Sequence, residues 1–253
     1  MRSFVLAGVA TLTIAITEPG QAADLVVLSA AAVRSAVAEV PSSFEKATGN
    51  HVRFVFGTAG AMRDKVISGE PVDIVIVPPS QLDDLMKRGL VADGSRTDLG
   101  VVRLGVAVRS GAKRPSIATA ADFKQTLLDA PSLGMADAAS GATTGIYFAK
   151  LLQQIGIADA LKNKLKLYPD GAGAMEAVAR GEIVLGAGQI SEIMPVKGVD
   201  LAGPLPDELQ LRTIYTAGLA AKSTSPEAAR ALLRLLRSAE MAPAFKASGF
   251  DPP

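Results

Sequence analysis

Strand-like and helix-like patterns alternate regularly from residue 25 onward. Residues 25–28 are apolar in the manner of a buried parallel strand, and the segment SAAAVRSAVAEVPSSFEKATG after them carries apolar residues at helical spacing. The same order repeats with strand patterns at residues 52–56 and 73–77, each followed by a helix pattern. Because parallel strands need crossover connections, this alternation predicts an α/β fold with mostly parallel sheets flanked by helices.

The alternation is interrupted once and then resumes, which predicts two lobes. A long β pattern at residues 101–108 ends in RSGAK, after which helix and strand patterns follow one another again. Ser225 and Pro226 are then typical of the N-cap and the first residue of a terminal helix. We therefore divide the chain into a signal peptide (1–22), lobe 1 (23–105), lobe 2 (106–200) and a return to lobe 1 (201–253), with a cleft between the lobes.

The first 22 residues have the organisation of an export signal. Arg2 precedes an apolar run over residues 4–16, and small residues flank a cleavage point after Ala22. The apolar run is shorter than the ~20 residues that a membrane-spanning helix needs, and it ends in the turn-forming sequence EPG. The sequence thus predicts cleavage, export to the periplasm and no membrane span in the mature protein, which we expect to be a monomer.

Composition and charge argue against several classes of partner and chemistry. Lys and Arg total 26 and Asp and Glu total 25, a net charge of +1, with no block of like charge that would favour nucleic acid or an anionic membrane. The sequence has no cysteine. Its one histidine, His51, directly precedes a strand pattern, and we interpret it as a surface residue. Thiolate sites, disulfides and Ser-His-Asp catalysis are therefore not expected, and we predict neither a metal nor a cofactor.

Three strand patterns lead into turns of very small residues that open helix patterns. The turns read SAAA from residue 29, GTAG from residue 57 and SGATTG from residue 140. Helix N-termini bind anions through unpaired N–H groups and partial positive charge, although tight packing with ordinary N-caps is the simpler explanation of any single turn. Since all three turns follow strands, where open α/β sheets bind ligands, we predict an anion site there. The candidate ligand-binding residues are Ser29, Ala30, Thr58, Ala59, Gly60, Ser140, Gly141, Thr143, Thr144 and Gln189.

The segment from VVLSAAAV to PVDIVI, together with SGATTGIYFAKLL and GEIVLG, resembles the type II periplasmic solute-binding proteins, and within them the molybdate-binding proteins of ABC importers. The resemblance extends over nearly all of the mature chain. It implies two α/β lobes, joined by two crossovers, that close on a small anion held by helix N-termini, backbone amides and hydroxyls. It also implies an ABC permease as partner, and SGATTG would form the wall of the site in lobe 2.

Three positions depart from the molybdate-binding pattern. That pattern has serines in the turns occupied here by Ala32 and Ala59, and a tyrosine in the place of Gln189. A dehydrated oxyanion needs nearly every oxygen hydrogen-bonded, and each lost partner in a buried site costs about 1–3 kcal/mol. The hydroxyls and backbone amides that remain therefore favour a carboxylate-bearing organic acid over molybdate or tungstate.

The segments VLSAAAV, FGTAGAM, GQISEIMPVKGV and GPLP are also similar to the aconitate isomerases, exported enzymes that move a proton and a double bond in a tricarboxylate. Such a reaction needs a base beside the acidic carbon. Glu192 and Asp137 are the candidate catalytic residues for an isomerase, although Asp137 is equally typical of a helix cap and Glu192 of an exposed position. The sequence leaves two functions open. The first is an exported receptor that delivers a small anion, expected to be an organic acid, to an ABC importer, and the alternative is an isomerase on the same fold.

Overall fold

A computed structural model describes residues 22–253 of the 253-residue chain. The predicted signal peptide, residues 1–22, lies outside the described residues except for Ala22. Over residues 22–253, no helix is both long enough and apolar enough to cross a membrane.

The strands form a mixed sheet that curls through both lobes. The strands are β1 (Asp24–Ala30), β2 (His51–Gly57), β3 (Ile74–Val77), β4 (Thr97–Arg109), β5 (Leu133–Ala136), β6 (Leu165–Tyr168), β7 (Leu185–Gln189), β8 (Val199–Pro204), β9 (Arg212–Leu219) and β10 (Phe250–Asp251). Their order is β2-β1-β3-β9-β4-β7-β5-β6, with β8 and β10 also paired to β4. Each lobe therefore contains one parallel triplet, β2-β1-β3 or β6-β5-β7, and the antiparallel strands β9 and β4 lie between the two triplets.

Strand β4 joins the two lobes. Its residues 97–103 pair with β9, and its first half also carries β10 through Val101 and Val102. From Leu104 onward it pairs instead with β7, and from Gly105 with β8. One continuous strand thus supplies hydrogen bonds to the parts of the sheet in both lobes. The carboxyl ends of the two parallel triplets face a common cleft, because the turns that follow β1, β2, β5 and β6 line it.

The helices connect these strands and cover the sheet. They are α1 (Val40–Thr48), α2 (Ala59–Ile67), α3 (Pro79–Lys87), α4 (Ala120–Asp129), α5 (Thr143–Gln154), α6 (Ala158–Leu161), α7 (Gly171–Arg180), α8 (Ile190–Ile193), α9 (Pro226–Leu236) and α10 (Ala242–Ala247). The predicted two-lobed type II binding-protein fold is confirmed. Helix α9 begins at Pro226 as predicted, but the Ser225 side chain makes no capping hydrogen bond.

Two details of the predicted elements were wrong. The segment after β1 is not one helix: a 3₁₀ turn at Ala31–Val33 is followed by turns, and α1 begins only at Val40. Pro41 follows in the first turn of α1, where its missing N–H is tolerated, whereas it would interrupt a helix running from residue 31 to 48. The strand expected at residues 183–186 is β7, which extends to Gln189 and so brings that residue to the cleft.

Two separate hydrophobic cores stabilise the lobes. The core of lobe 1 packs β1 and β3 against α1, α2, α3 and α9, with Phe44, Leu82 and Leu232 among its buried residues. The core of lobe 2 includes Phe123 and Phe148, and a smaller cluster under α7 contains Met175. Because each lobe has its own core, the interlobe cleft can be polar without weakening either of them.

Candidate ligand-binding and catalytic site

The candidate site is the cleft at the carboxyl ends of the two parallel triplets. In this closed arrangement the space within it is about 20 Å³, roughly what one water molecule needs, so the lobes must separate to admit a larger ligand. The turns after β1, β2, β5 and β6 form its walls, and the end of β7 and Tyr215, in the middle of β9, contribute to its floor. Its lining residues are Ala30, Ala31, Ala32, Gly57, Thr58, Ala59, Ala142, Thr143, Thr144, Asp170, Gly171, Gln189, Glu192 and Tyr215.

The structure places the sequence-predicted residues in three different surroundings. Seven of them line the cleft: Ala30, Thr58, Ala59, Thr143, Thr144, Gln189 and Glu192. Gly60, Ser140 and Gly141 lie where the two lobes touch. Ser29 and Asp137 are engaged elsewhere, because the Ser29 hydroxyl donates to Ala30 O at 3.1 Å and the Asp137 carboxylate accepts from Ala139 N at 2.9 Å, as a helix cap does.

Hydrogen bonds between the turns and helices of the two lobes hold the lobes together beside the cleft. The Gly60 N–H donates to Gly141 O at 3.1 Å, and the Thr58 hydroxyl donates to Ser140 O at 2.5 Å. A longer bond of 3.5 Å runs from Ser35 Oγ to Ser191 O. The backbones approach so closely that a Cβ atom on Gly60 would lie 2.9 Å from Gly141 Cα, so only glycine fits there in the closed arrangement.

The cleft contains polar atoms that are left without protein partners. The Gln189 side chain is 1% exposed, and its Oε1 accepts a 2.8 Å hydrogen bond from the Tyr215 hydroxyl. Within residues 22–253, the Gln189 Nε2 and the Thr143 hydroxyl have no hydrogen-bond partner. Buried polar atoms are nearly always paired in folded proteins, so these unpaired atoms are available to a ligand.

The N-termini of three helices converge on the same cleft. Helix α2 begins at Ala59, α5 at Thr143 and α7 at Gly171, and all three residues line the cleft. Each helix is at least nine residues long, so each brings a partial positive charge to the cleft. Some of their first N–H groups are already paired: Gly60 and Ala61 of α2 donate to Gly141 O and Thr58 Oγ1, and Gly173 of α7 donates to Asp170 Oδ1. The arrangement favours a ligand that carries several negative charges, such as one with more than one carboxylate.

Glu192 brings an ionisable carboxyl group into this cleft. It lies in the short helix α8 directly after β7, and its carboxylate packs against Gly171 so closely that a side chain there would overlap it. Burial, and after it the neighbouring Asp170 carboxylate, raise the pKa of Glu192 from 4.5 to about 7. The Gln189 backbone and the charge of Arg34 act in the opposite direction. A carboxyl group with a pKa near neutrality can both accept and return a proton.

The raised pKa of Glu192 predicts a pH-dependent loss of stability. The folded protein holds the Glu192 proton more tightly than the unfolded chain, so this contribution is complete below pH 4.5 and is lost as the pH rises to about 7. The group is partly open to the cleft, so we expect a loss on the order of 2–3 kcal/mol. Chemical unfolding of the wild type and Glu192→Gln at pH 4.5 and pH 8 measures it. The wild type should lose stability relative to the variant at the higher pH. If the two proteins differed in free energy of unfolding by the same amount at both pH values, the raised pKa of Glu192 would be contradicted.

Several residues of this site were not identified from the sequence. Asp170 and Gly171 follow β6 in the sequence YPDGAG, which is another turn of small residues that opens a helix and could have been recognised as such. Tyr215 lies within β9, far along the chain, and nothing in its local pattern distinguishes it from a core residue. Among residues 22–253, no group of three or more His, Cys, Asp or Glu side chains is arranged to hold a metal ion.

Comparison with known proteins agrees with this architecture. The model of the family of bacterial extracellular solute-binding proteins matches residues 25–251, and the chain belongs to that family. It is 38% identical over 237 residues to the aconitate isomerase of Pseudomonas sp, which covers 90% of this chain and 87% of that protein. It is 24% identical over 228 residues to the molybdate-binding protein ModA of Escherichia coli (strain K12), covering 89% of this chain and 88% of ModA.

The solved structures give the same fold. The periplasmic molybdate-binding protein of Azotobacter vinelandii superposes with a TM-score of 0.76 at 17% identity, covering 90% of this chain and 99% of that one. A periplasmic thiamin-binding protein superposes with a TM-score of 0.71 at 14% identity, covering 97% of this chain and 86% of that one. The chain thus belongs to the bacterial extracellular solute-binding proteins and has the fold of the type II periplasmic binding proteins.

Proposed function

We propose that this protein is an isomerase that moves a proton and a double bond within an unsaturated tricarboxylate of the aconitate type. The observation that supports this most strongly is the Glu192 carboxyl group, which lies in the cleft between the lobes with its pKa raised to about 7. The 38% identity to an aconitate isomerase over 90% of the chain supports the same reaction. The sequence alone placed the receptor function first, and the position of Glu192 reverses that order.

The cleft residues perform this reaction in two proton transfers. Ionised Glu192 removes a proton from the methylene carbon beside the double bond, and the electron pair delocalises over the allylic system and its attached carboxylate. The protonated Glu192 then returns a proton to the former vinylic carbon, which leaves the double bond shifted by one position and the proton count unchanged. Because the pKa of Glu192 is about 7, both its protonation states are accessible at neutral pH.

The remaining cleft residues bind and orient the substrate carboxylates. The N–H groups at the starts of α2, α5 and α7 provide positive potential for several negative charges. The hydroxyls of Thr143 and Thr144 and the amide of Gln189 lie in the cleft as additional hydrogen-bonding groups. These groups also stabilise the negative charge that develops on the substrate when the proton is removed.

The ligand is expected to be an organic acid and not molybdate. Ala32 and Ala59 line the cleft with methyl groups where the molybdate-binding pattern has serine hydroxyls, so a compact oxyanion would lack hydrogen-bond donors at these two positions. Isothermal titration with molybdate, sulfate, citrate and both aconitate isomers should give measurable affinity only for the carboxylates. A submicromolar Kd for molybdate, which corresponds to more than ~8 kcal/mol of binding, would contradict this expectation.

A receptor for an ABC importer is the second candidate, and it is favoured by the family and by the direct contacts between the lobes. The Gly60–Gly141 and Thr58–Ser140 hydrogen bonds stabilise a closed arrangement, as a protein that encloses a solute requires. This function adds an ABC permease as partner. In both cases residues 1–22 act as a cleaved signal and the protein works in the periplasm.

Turnover separates the two candidates. The mature protein, from residue 23 onward, is incubated with cis-aconitate or trans-aconitate, and the products are separated by chromatography. An isomerase converts each acid into the other, whereas a receptor returns the acid unchanged after binding it. Conversion by the unmodified protein supports the first proposal, and saturable binding without conversion favours the receptor.

A further inference from the structure

Tyr215 occupies a position at the floor of the cleft that the proton-transfer chemistry does not use. It lies on β9 in lobe 1, is 2% exposed and packs edge-on against Phe250 with 6.2 Å between the ring centroids. Its hydroxyl donates to Oε1 of Gln189, which ends β7 of lobe 2. Both side chains line the cleft, so this hydrogen bond connects the two lobes beside the ligand.

The Tyr215 hydroxyl determines which end of the Gln189 amide is free. In the observed arrangement Oε1 is occupied, while Nε2 has no partner among residues 22–253. If the amide were rotated by half a turn, Nε2 would donate to the Tyr215 oxygen. The tyrosine proton would then lose the acceptor it has now, and Oε1 would replace Nε2 as the free atom. Burial and the nearby Glu192 both raise the pKa of Tyr215, so the hydroxyl keeps its proton and remains a donor.

We propose that Tyr215 is a positioning residue that holds the Gln189 amide with its N–H groups toward the ligand, and that Gln189 thereby selects ligands with a carboxylate at this point. An ionised carboxylate accepts hydrogen bonds and donates none. The free Nε2 of Gln189 can therefore donate to it, whereas a free Oε1 would repel it. The inference rests on the proposed function to the extent that the ligand is a carboxylic acid. It does not require the protein to catalyse a reaction.

A double-mutant cycle on ligand affinity tests this role. The probe is propane-1,2,3-tricarboxylate, which has no double bond to shift and is titrated calorimetrically into the wild type, Tyr215→Phe, Gln189→Ala and the double variant. Gln189→Ala should weaken binding about tenfold, since it removes one charge-assisted hydrogen bond. Tyr215→Phe should weaken binding several-fold in the wild type and have no further effect in the Gln189→Ala background.

Tyr147→Phe is the matched control, because the Tyr147 hydroxyl donates to Leu209 O at 3.1 Å outside the cleft lining. Like Tyr215→Phe, this substitution removes one hydrogen bond donated by a tyrosine hydroxyl, but it should leave the affinity for the probe unchanged. Melting temperatures of all variants show whether a loss of affinity reflects unfolding. Equal effects of Tyr215→Phe with and without Gln189 would overturn the proposal, as would a wild type that does not bind the probe. A protein that passes this cycle but does not convert aconitate would refute the isomerase and leave the role of Tyr215 in place.

Discussion

Glu192→Gln is expected to lower the turnover of aconitate by ~10²-fold or more while leaving its binding largely intact. Glutamine has nearly the same shape as glutamic acid but cannot accept a proton from carbon, and loss of a general base typically costs 10²–10⁴-fold in rate. Binding should persist because the helix N-termini and the cleft hydroxyls remain, and one negative charge is removed from beside the anion. Initial rates and calorimetric affinities of the two proteins measure the separate effects.

Two further variants make this result specific. Glu176→Gln changes an exposed carboxylate of α7, paired loosely with Arg180 at 3.7 Å, and should have wild-type turnover. Asp137→Asn tests the other carboxylate that the sequence suggested as a base. Since Asp137 caps the turn after β5 and does not line the cleft, we expect it to retain most of the activity. A strong loss of turnover in Asp137→Asn with an active Glu192→Gln would move the base to Asp137.

Gly60→Val is expected to weaken binding of carboxylate ligands by up to ~10²-fold, because it prevents the closed arrangement of the lobes. A Cβ on Gly60 would lie 2.9 Å from Gly141 Cα and 3.0 Å from its carbonyl oxygen, so the backbones must separate. The separation removes the Gly60–Gly141 and Thr58–Ser140 hydrogen bonds, and two such bonds contribute about 1–3 kcal/mol together. Calorimetric titration with propane-1,2,3-tricarboxylate measures the change.

A matched control separates closure from helix stability. Asp64→Val introduces the same β-branched residue into α2 on its exposed side and should reduce stability slightly without affecting affinity. Gly141→Leu should also block binding, but Gly141 has a φ of 74°, so strain in its own backbone would contribute to the result. If Gly60→Val bound the ligand with wild-type affinity and a normal melting temperature, the contact between the lobes would have no role in binding.

The sequence predicted the parts of the fold that depend on local periodicity. Buried apolar runs and helical spacing identified β1, β2 and β3 and the helix α2, because each side chain's environment follows from its position in the repeat. The prediction failed where other forces dominate. β7 has the sequence LGAGQ, and its two glycines weaken the pattern by which a strand is recognised. Gly186 is needed because a Cβ there would overlap the Met175 side chain. That contact comes from α7 and cannot be read locally.

The candidate site was predictable to a similar extent. Turns of small residues at strand ends marked Thr58, Ala59 and Thr143, which line the cleft, because strand ends converge in any sheet of this type. Tyr215 was missed, since it reaches the cleft through the antiparallel pairing of β9 with β4. The pKa of Glu192 likewise depends on burial against Gly171 and on Asp170, residues that lie about twenty positions away in sequence.

The most direct measurement of the central claim is turnover of cis-aconitate and trans-aconitate by the mature protein in heavy water, followed by proton NMR. Removal and return of a carbon-bound proton by Glu192 predicts that each isomer gives the other, with deuterium on carbon wherever the carboxyl proton exchanges with solvent between the two transfers. Glu192→Gln, measured alongside, should form product and incorporate deuterium at rates lower by ~10²-fold or more. Saturable binding of both isomers with no conversion by the unmodified protein would contradict the isomerase and leave a receptor.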